Sequence, residues 1–462
     1  MKKRNILLYP VLFFILFSAV PQVRAQEGSE TPARSVEDQR RAVLRFGTST
    51  EIVGLIQTIR AENVSYLDDE LIALINVTAN RPIIIGIFGF FGETGKTGLE
   101  ERAIRAIEYR DNEGNDVVLA AIDYLGRVNA REAVAALEEI VDSGEGRFLN
   151  NAIRALGRAG QHNDETALFL LDQYKTRNPS AENQRELIVA MGETGSALVV
   201  EFLAAIVSDS EERMVLHMAA LEALAKIGDP GGLDAIIMAV SSADPNVRST
   251  AVSALGPFSG PQVDQAILEG FRDDFYRTRI GAAQAAGRRQ LEEAIEFLQY
   301  RAETDSVPQV RVESIRALGA INSRESIGIV ETFFTNRRNS DQVRLVALEV
   351  LLQYHADQFA PAIVIEMDAA RALSPSNPTA LYNGFIRLLS TARSDSFEAL
   401  ARRLAGGSII EKSLSLDLIL NNSFRSLEDE MRALLDPRNG NPSLIRKAQS
   451  TLEQLGFTIE EE

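Results

Sequence analysis

A glycine-rich segment in the first quarter of the chain contains the residues best suited to chemistry. The β-branched run 83–87 is followed by Gly92–Gly98, of sequence GETGKTG, and then by a helical pattern that begins at Leu99. A strand, a glycine-rich loop ending in Gly-Lys-Thr and a helix together cradle phosphates through backbone N–H groups and a lysine. The full motif needs a glycine five residues before Gly95, and that position is Phe90.

A second copy of the same tetrapeptide favours a turn over a nucleotide site. GETG recurs at Gly192–Gly195, in the turn of an ordinary repeat. Pro82 also lies ten residues before Gly92, much as Pro245 lies eleven residues before Gly256. We therefore interpret Gly92–Gly98 as a helix stop followed by a turn between helices. The nucleotide-binding alternative predicts tight binding of ATP or GTP that Lys96→Ala abolishes.

The remaining reactive side chains form no catalytic or metal-binding pattern. The chain has no cysteine, and its three histidines, His162, His217 and His355, fall in three separate segments without metal-ligand spacing. Adjacent carboxylates such as Glu138 and Glu139 are expected on the solvated faces of an acidic chain, and no nucleophile elbow is present. The sequence therefore predicts no enzymatic activity, no metal and no cofactor.

One helical pattern recurs along the chain and predicts the architecture. Asp244–Gly256 combines an Asp cap, a Pro in the first turn, small and apolar residues on one face, and a Gly interpreted as a stop. Aligned on that Gly, the copies are spaced 28–36 residues apart, at Gly92, Gly126, Gly157, Gly192, Gly228, Gly256, Gly287 and Gly319. This period indicates stacked supersecondary units, each too small to bury its apolar face alone.

A second amphipathic segment lies between successive glycines. In Ala130–Ile140, the residues Ala133, Val134, Leu137 and Ile140 share one helical face and the charged residues share the other. Each unit is thus a pair of helices. The sequence predicts an all-α fold, an α-solenoid of about ten to twelve helix pairs.

The pattern D-P-x-V-R…A-x-x-A-L-G of residues 244–256 resembles the short HEAT repeats, especially those of phycobilisome lyases. The resemblance covers residues 67–352 well and the rest weakly. It implies that the second helix of each pair, the one that carries the glycine, lines the concave face. It also implies a ladder of Asp–Arg ion pairs that joins successive units. The pairs in such positions are Asp244 with Arg248, Asp274 with Arg279, and Asp341 with Arg344. The alternative for each pair is that the Asp only caps its helix and the Arg is solvated.

The chain begins with the features of a secretory signal peptide. Residues 1–25 begin with the three basic residues Lys2, Lys3 and Arg4, which are followed by an apolar run and the cleavage motif Val23-Arg24-Ala25. We expect a flexible tether at 26–46, a HEAT-like array at 47–352, and degenerate repeats with a carboxyl-terminal cap at 353–462. The expected location is periplasmic or secreted in a bacterium. An uncleaved amino-terminal anchor is the alternative, and would be the chain's only contact with a membrane.

Charge argues against a nucleic-acid partner. Removing residues 1–25 takes away four basic residues and no acidic one, so the formal charge of −17 becomes −21. The second-helix position three residues before each glycine should be exposed, and Arg154, Gln284, Arg316 and Glu349 occupy it with mixed signs. These four residues should form one inner ridge for a protein or peptide partner. Tyr276 and Arg277 form a second candidate contact, with an unremarkable surface as the alternative.

The sequence therefore predicts an exported, non-catalytic scaffold that binds protein or peptide partners along its concave face. One alternative, implied by the resemblance alone, is a lyase-like or chaperone-like protein that handles a chromophore. Another is a structural envelope component that self-associates.

Overall fold

The computed structural model describes residues 35–62, 64–177, 179–373, 378–436 and 441–458. Within these ranges the chain forms twenty-five α-helices and no β-strand. The expected signal peptide at 1–25 and the first part of the expected tether lie outside the described residues. No helix in the described ranges is both long and apolar enough to cross a membrane.

The amino-terminal helices alternate between first and second members of each unit. They are α1 (Val36–Phe46), α2 (Ser49–Glu62), α3 (Asp68–Val77), α4 (Arg81–Thr94), α5 (Glu100–Glu108), α6 (Asn115–Arg127), α7 (Val134–Ser143), α8 (Leu149–Ala159), α9 (Asp164–Thr176), α10 (Ala181–Thr194), α11 (Val200–Ser208), α12 (Met214–Ile227), α13 (Leu233–Ala239) and α14 (Pro245–Ala254).

The same alternation continues to the carboxyl terminus. The remaining helices are α15 (Pro261–Gly270), α16 (Tyr276–Arg289), α17 (Ile295–Thr304), α18 (Pro308–Ile321), α19 (Arg324–Thr335), α20 (Asp341–Ala372), α21 (Ala380–Leu389), α22 (Glu398–Ala405), α23 (Ile409–Asn422), α24 (Glu428–Ala433) and α25 (Pro442–Gln454). Short 3-10 turns lead directly into several first helices, for example Arg131–Ala133 before α7.

The helices form two layers with one apolar core between them. Even-numbered helices from α4 to α20 pack extensively on one another, whereas the odd-numbered first helices contact their own neighbours much less. Because closer packing of one layer bends a stack toward that layer, we infer that the second helices form the inner layer. Leu125, Leu156, Leu255 and Leu318 are all fully buried, which confirms the predicted helix phase.

Most of the repeat glycines are contact points inside helices, which corrects their interpretation as stops. Gly126, Gly157 and Gly192 lie within α6, α8 and α10. A Cβ at Gly157 would lie 2.7 Å from Ala190 Cα, and one at Gly192 would lie 2.7 Å from Ala223 Cα. Only a residue without a side chain allows this approach of one helix backbone to the next. Gly228 does end α12, in the left-handed conformation.

The expected flexible tether does not extend to residue 46. Residues 36–46 form α1, which is capped by Ser35 and buries Leu44. Arg40 bonds to Glu62, and Arg41 bonds to Glu70, so α1 is joined to the last residue of α2 and to α3. The charges of this segment that suggested a tether are therefore used in ion pairs between helices.

The predicted Asp–Arg ladder exists, but its pairs join different residues. Arg248 bonds to Asp273 of the following unit at 2.9 Å, and Arg279 bonds to Asp305 at 2.7 Å. Arg344 bonds instead to Glu366 at 2.8 Å. Each arginine thus pairs with a carboxylate beyond its own unit, while it also donates to a backbone carbonyl oxygen that precedes its own helix.

One long helix, α20, crosses the expected boundary at residue 352. It continues through Leu352, which occupies the glycine position of the repeat, and bends at His355, where the backbone is non-helical. Helices α21 to α25 follow, and first and second helices continue to alternate among them.

Candidate partner-binding surface

The glycine-rich segment is a helix end, as the repeated GETG indicated. The β-branched run 83–87, which imitated a strand, lies inside α4, and Gly95 ends that helix with φ 67°. Gly195 ends α10 in the same way with φ 70°. Lys96 Nζ lies 2.7 Å from Asp68 Oδ1 and 3.0 Å from the Val64 carbonyl oxygen. The lysine is therefore bound at the start of α3, the first helix of its own unit, and is not presented to a phosphate.

The histidines and carboxylates stay apart in space as they do in sequence. His217 Nε2 lies 2.7 Å from the Asp209 carbonyl oxygen, and His355 Nε2 lies 2.6 Å from Asn322 Oδ1. In the described ranges, no group of three or more His, Asp or Glu side chains could hold a metal ion. Burial, and to a smaller extent the nearby Glu165, raise the pKa of Glu138.

Three of the four predicted ridge residues meet in one groove. Gln284 of α16, Arg316 of α18 and Glu349 of α20 line a groove of about 530 Å³ on the inner layer. The groove lies across three successive second helices, and small residues form its floor: Ala283, Gly287, Ala317 and Ala320. Those small residues leave room for a ligand's side chains between the helices.

Charges in the groove are matched within the protein itself. Arg316 lies between Glu313, at 3.0 Å, and Glu349, at 3.4 Å. Partial burial opposes ionisation of Arg316, but the two glutamates outweigh it and raise the pKa of the guanidinium above its ordinary value. Arg288, at one end of the groove, donates to the Ser253 carbonyl oxygen at 2.7 Å. The groove therefore has little net charge, although the chain is strongly acidic.

Arg154 lies outside this groove. It is on α8, four second helices before Gln284, and its Nε donates to Glu186 Oε2 at 2.6 Å. The Glu186 side chain is only 6% exposed, so Arg154 neutralises a buried carboxylate of the next unit. The four predicted residues therefore do not form one continuous inner ridge, because Arg154 lies apart from the other three.

Tyr276 and Arg277 begin α16, away from the groove. Arg277 Nε donates to the Tyr276 hydroxyl at 3.2 Å, and its guanidinium lies over the Phe275 and Tyr276 rings. Phe271 is fully buried, whereas Phe275 is only partly buried. The arginine is thus held by aromatic rings of its own unit.

Four polar groove residues were not predicted from the sequence. Arg288, Glu313, Gln353 and Tyr354 also line the groove, and Tyr354 is 38% exposed. Arg288 and Gln353 lie one helical turn after Gln284 and Glu349, on the same face. The position four residues after each predicted exposed residue lies on the same helical face, and including that position would have identified both residues.

Comparisons with known proteins decide the family. A family model of spirochaete HEAT repeat proteins matches residues 44–451. The chain belongs to this family. The match confirms the HEAT-repeat resemblance and the α-solenoid fold, which agree with the helix pairs described above.

Other comparisons give distant likenesses. No curated protein matches the sequence. The crystal structure of Kap121p aligns with a TM-score of 0.42 and 10% identity, covering 90% of this chain and 53% of that one. Human deoxyhypusine hydroxylase in complex with glycerol aligns with a TM-score of 0.25 and 18% identity, covering 55% and 97%. The chain spans about half the length of Kap121p.

Proposed function

We propose that this protein is an exported, non-catalytic scaffold that binds a protein or peptide partner in the groove of α16, α18 and α20. The groove itself carries the proposal, because it joins a small-residue floor to exposed side chains that can donate and accept hydrogen bonds. Gln284 and Gln353 each offer an amide donor and acceptor, the groups that an extended peptide backbone needs. Tyr354 adds an aromatic surface at the edge, typical of protein interfaces.

The expected location follows from the amino-terminal segment. Its charged start, apolar run and small-residue motif support cleavage and export to the periplasm or beyond. The absence of cysteine means that export requires no disulfide formation.

Salt dependence distinguishes this partner from a polyanion. Because the groove's charges are paired internally, bulk charge contributes little to its affinity. We expect affinity to fall only modestly between about 50 and 200 mM salt, whereas a multi-phosphate ligand loses about 10³–10⁵ over that range.

A charge reversal with a matched control tests the groove. Peptides selected on the wild-type chain are measured against Arg316→Glu and against Arg324→Glu, an exposed first-helix residue with the same charge change. We expect Arg316→Glu to weaken binding at least about ten-fold and Arg324→Glu to leave it unchanged. Tyr354→Ala, which leaves the ion pairs intact, should also weaken binding. Equal effects of Arg316→Glu and Arg324→Glu would overturn the proposal.

A further inference from the structure

A polar pocket of about 380 Å³ lies at the carboxyl-terminal ends of second helices in the other half of the inner layer. Its polar lining comes from four successive units: Arg127, Asn129, Arg158, Gln161, Glu193 and Lys226. Arg154, one turn before Arg158 on α8, places this pocket on the same layer as the groove. Neither the family match nor the groove accounts for it.

Glycine contacts explain why residues from four units converge. Helix axes in contact lie about 8–10 Å apart, so α6 and α12 would be separated by about 24–30 Å in a flat stack. Gly126, Gly157 and Gly192 lie one turn or less before the ends of α6, α8 and α10, and each meets an alanine of the next second helix. The helices therefore approach most closely at these ends, which brings Arg127 and Lys226 to one pocket.

The pocket has a positive excess in an acidic protein. Lys226 pairs with Glu193, and Arg127 pairs with Asp123 of its own helix at 2.7 Å. Arg158 is exposed and has no side-chain hydrogen bond or ion pair within the described part of the chain. Three cations thus face two carboxylates, and the guanidinium of Arg158 is left to bind a ligand.

We propose that this pocket binds one carboxylate of an acidic peptide segment in the partner. A guanidinium binds a carboxylate through two parallel hydrogen bonds, and the amides of Asn129 and Gln161 can donate further bonds. The ends of α6 and α8 carry partial negative charge, which opposes a doubly charged phosphate more than a single carboxylate. The inference rests on the proposed function, because it assigns a chemistry to a second part of the same partner.

The test uses peptides selected on the full chain from a displayed library with a fixed central Glu. Each selected peptide is compared with its Glu→Gln version by fluorescence anisotropy on the wild type, Arg158→Ala, Arg158→Lys and Arg131→Ala. Arg131 is the control, an exposed arginine just before the first helix of the same unit. Peptides with a free or an amidated carboxyl terminus distinguish a terminal from a side-chain carboxylate.

We expect the Glu peptide to bind wild type about ten-fold more tightly than the Gln peptide, the difference made by a charge-assisted bond. Arg158→Ala should abolish that ratio, Arg158→Lys should restore part of it, and Arg131→Ala should preserve it. If only the free terminus shows the dependence, the carboxylate is terminal and the proposal stands.

Two results would overturn the inference while leaving the proposed function intact. One is binding that Arg316→Glu weakens but that is equal for the Glu and Gln peptides and also equal for peptides with a free and an amidated carboxyl terminus. The other is stronger competition by inorganic phosphate than by acetate at equal ionic strength. Selection of no peptide at all would count against both proposals together.

Discussion

At the scale of single residues, the repeat glycines set the distance between units. A Cβ at position 157 would lie 2.7 Å from Ala190 Cα, so α8 and α10 must separate to accept it. Gly89 lies in α4 with no atom within 4 Å of its added Cβ, and it serves as the matched control.

We expect opposite effects from these two glycine substitutions. Gly157→Ala should reduce the free energy of unfolding by about 1–3 kcal/mol through overpacking. Gly89→Ala should increase it by about 0.5–1 kcal/mol, because alanine is the better helix former. Urea unfolding of both variants provides the measurement. Stabilisation by both substitutions would show that these glycines do not limit helix approach.

The Arg279–Asp305 pair should make stability depend on pH. Burial opposes ionisation of Asp305, but hydrogen bonds from Arg279 and from the Val307 N–H outweigh it and hold its pKa below the ordinary value. A lowered folded-state pKa stabilises the protein above the unfolded value of about 4, and that stabilisation is lost as the pH falls through the folded pKa. The side chains are only 9% and 1% exposed, so the pair is shielded from solvent.

We therefore expect Asp305→Asn to cost about 3–5 kcal/mol at pH 7, the effect of removing one member of a buried ion pair. The difference from wild type should begin to shrink as the pH falls below about 4, where Asp305 of the unfolded chain takes up a proton, and should shrink further as the pH falls through the lowered folded-state pKa. Asp274→Asn, at an exposed neighbouring aspartate, is the control and should change little. A difference between Asp305→Asn and wild type that stays constant from pH 7 to pH 3 would contradict this explanation.

Residue roles were harder to predict than residue positions. The spacing of the glycines located the units, but it could not separate a helix stop from a contact point, because both place glycine near a helix end. The sequence shows only which residues are close along the chain, so each arginine was expected to pair with an aspartate of its own unit. The true partner of Arg248 is Asp273, 25 residues away, and only the stacking of units brings the two together.

At the scale of helices, the repeat pattern predicted the buried face correctly. Leu255 ends α14 and is fully buried, like the equivalent leucines in neighbouring units. The helix α1 was missed because its polar and charged residues hide one apolar face, of which only Leu44 is buried. An end helix with a single neighbour needs less apolar surface than an internal one.

Truncation of Leu255 should weaken its own unit and the adjoining ones first. Leu255→Ala should cost about 2–5 kcal/mol, the range for a buried leucine. Hydrogen exchange should accelerate in α12–α16 before it changes in α2–α4, because each unit contacts only its neighbours. Met238→Ala, at a residue 54% exposed, should stay within about 0.5 kcal/mol of wild type. A uniform acceleration along the chain would mean that the array unfolds as a single unit.

At the scale of the whole molecule, export is a prediction from residues 1–25 alone. We expect processing between Ala25 and Gln26, which leaves a mature chain of formal charge −21. Amino-terminal sequencing of the exported protein measures this directly. A mature chain that still begins at Met1 would turn the segment into a membrane anchor.

The partner-binding surface could be predicted only in part from sequence. Gln284, Arg316 and Glu349 share a repeat position, so their meeting in one groove follows from the period. Arg154 shares that position too, but Glu186 of the neighbouring unit already occupies its guanidinium. Such pairing depends on side-chain contacts between units, which a one-dimensional repeat does not show.

Photo-crosslinking from the inner and outer layers tests most directly whether the groove binds the partner. A benzophenone side chain is placed at Gln353 in the groove and, in a second variant, at the exposed Arg324 on the first helix α19. We expect a selected peptide to crosslink from position 353, unlabelled peptide to suppress this product, and no product to form from position 324. Equal crosslinking from both positions, or crosslinking from position 324 alone, would contradict it.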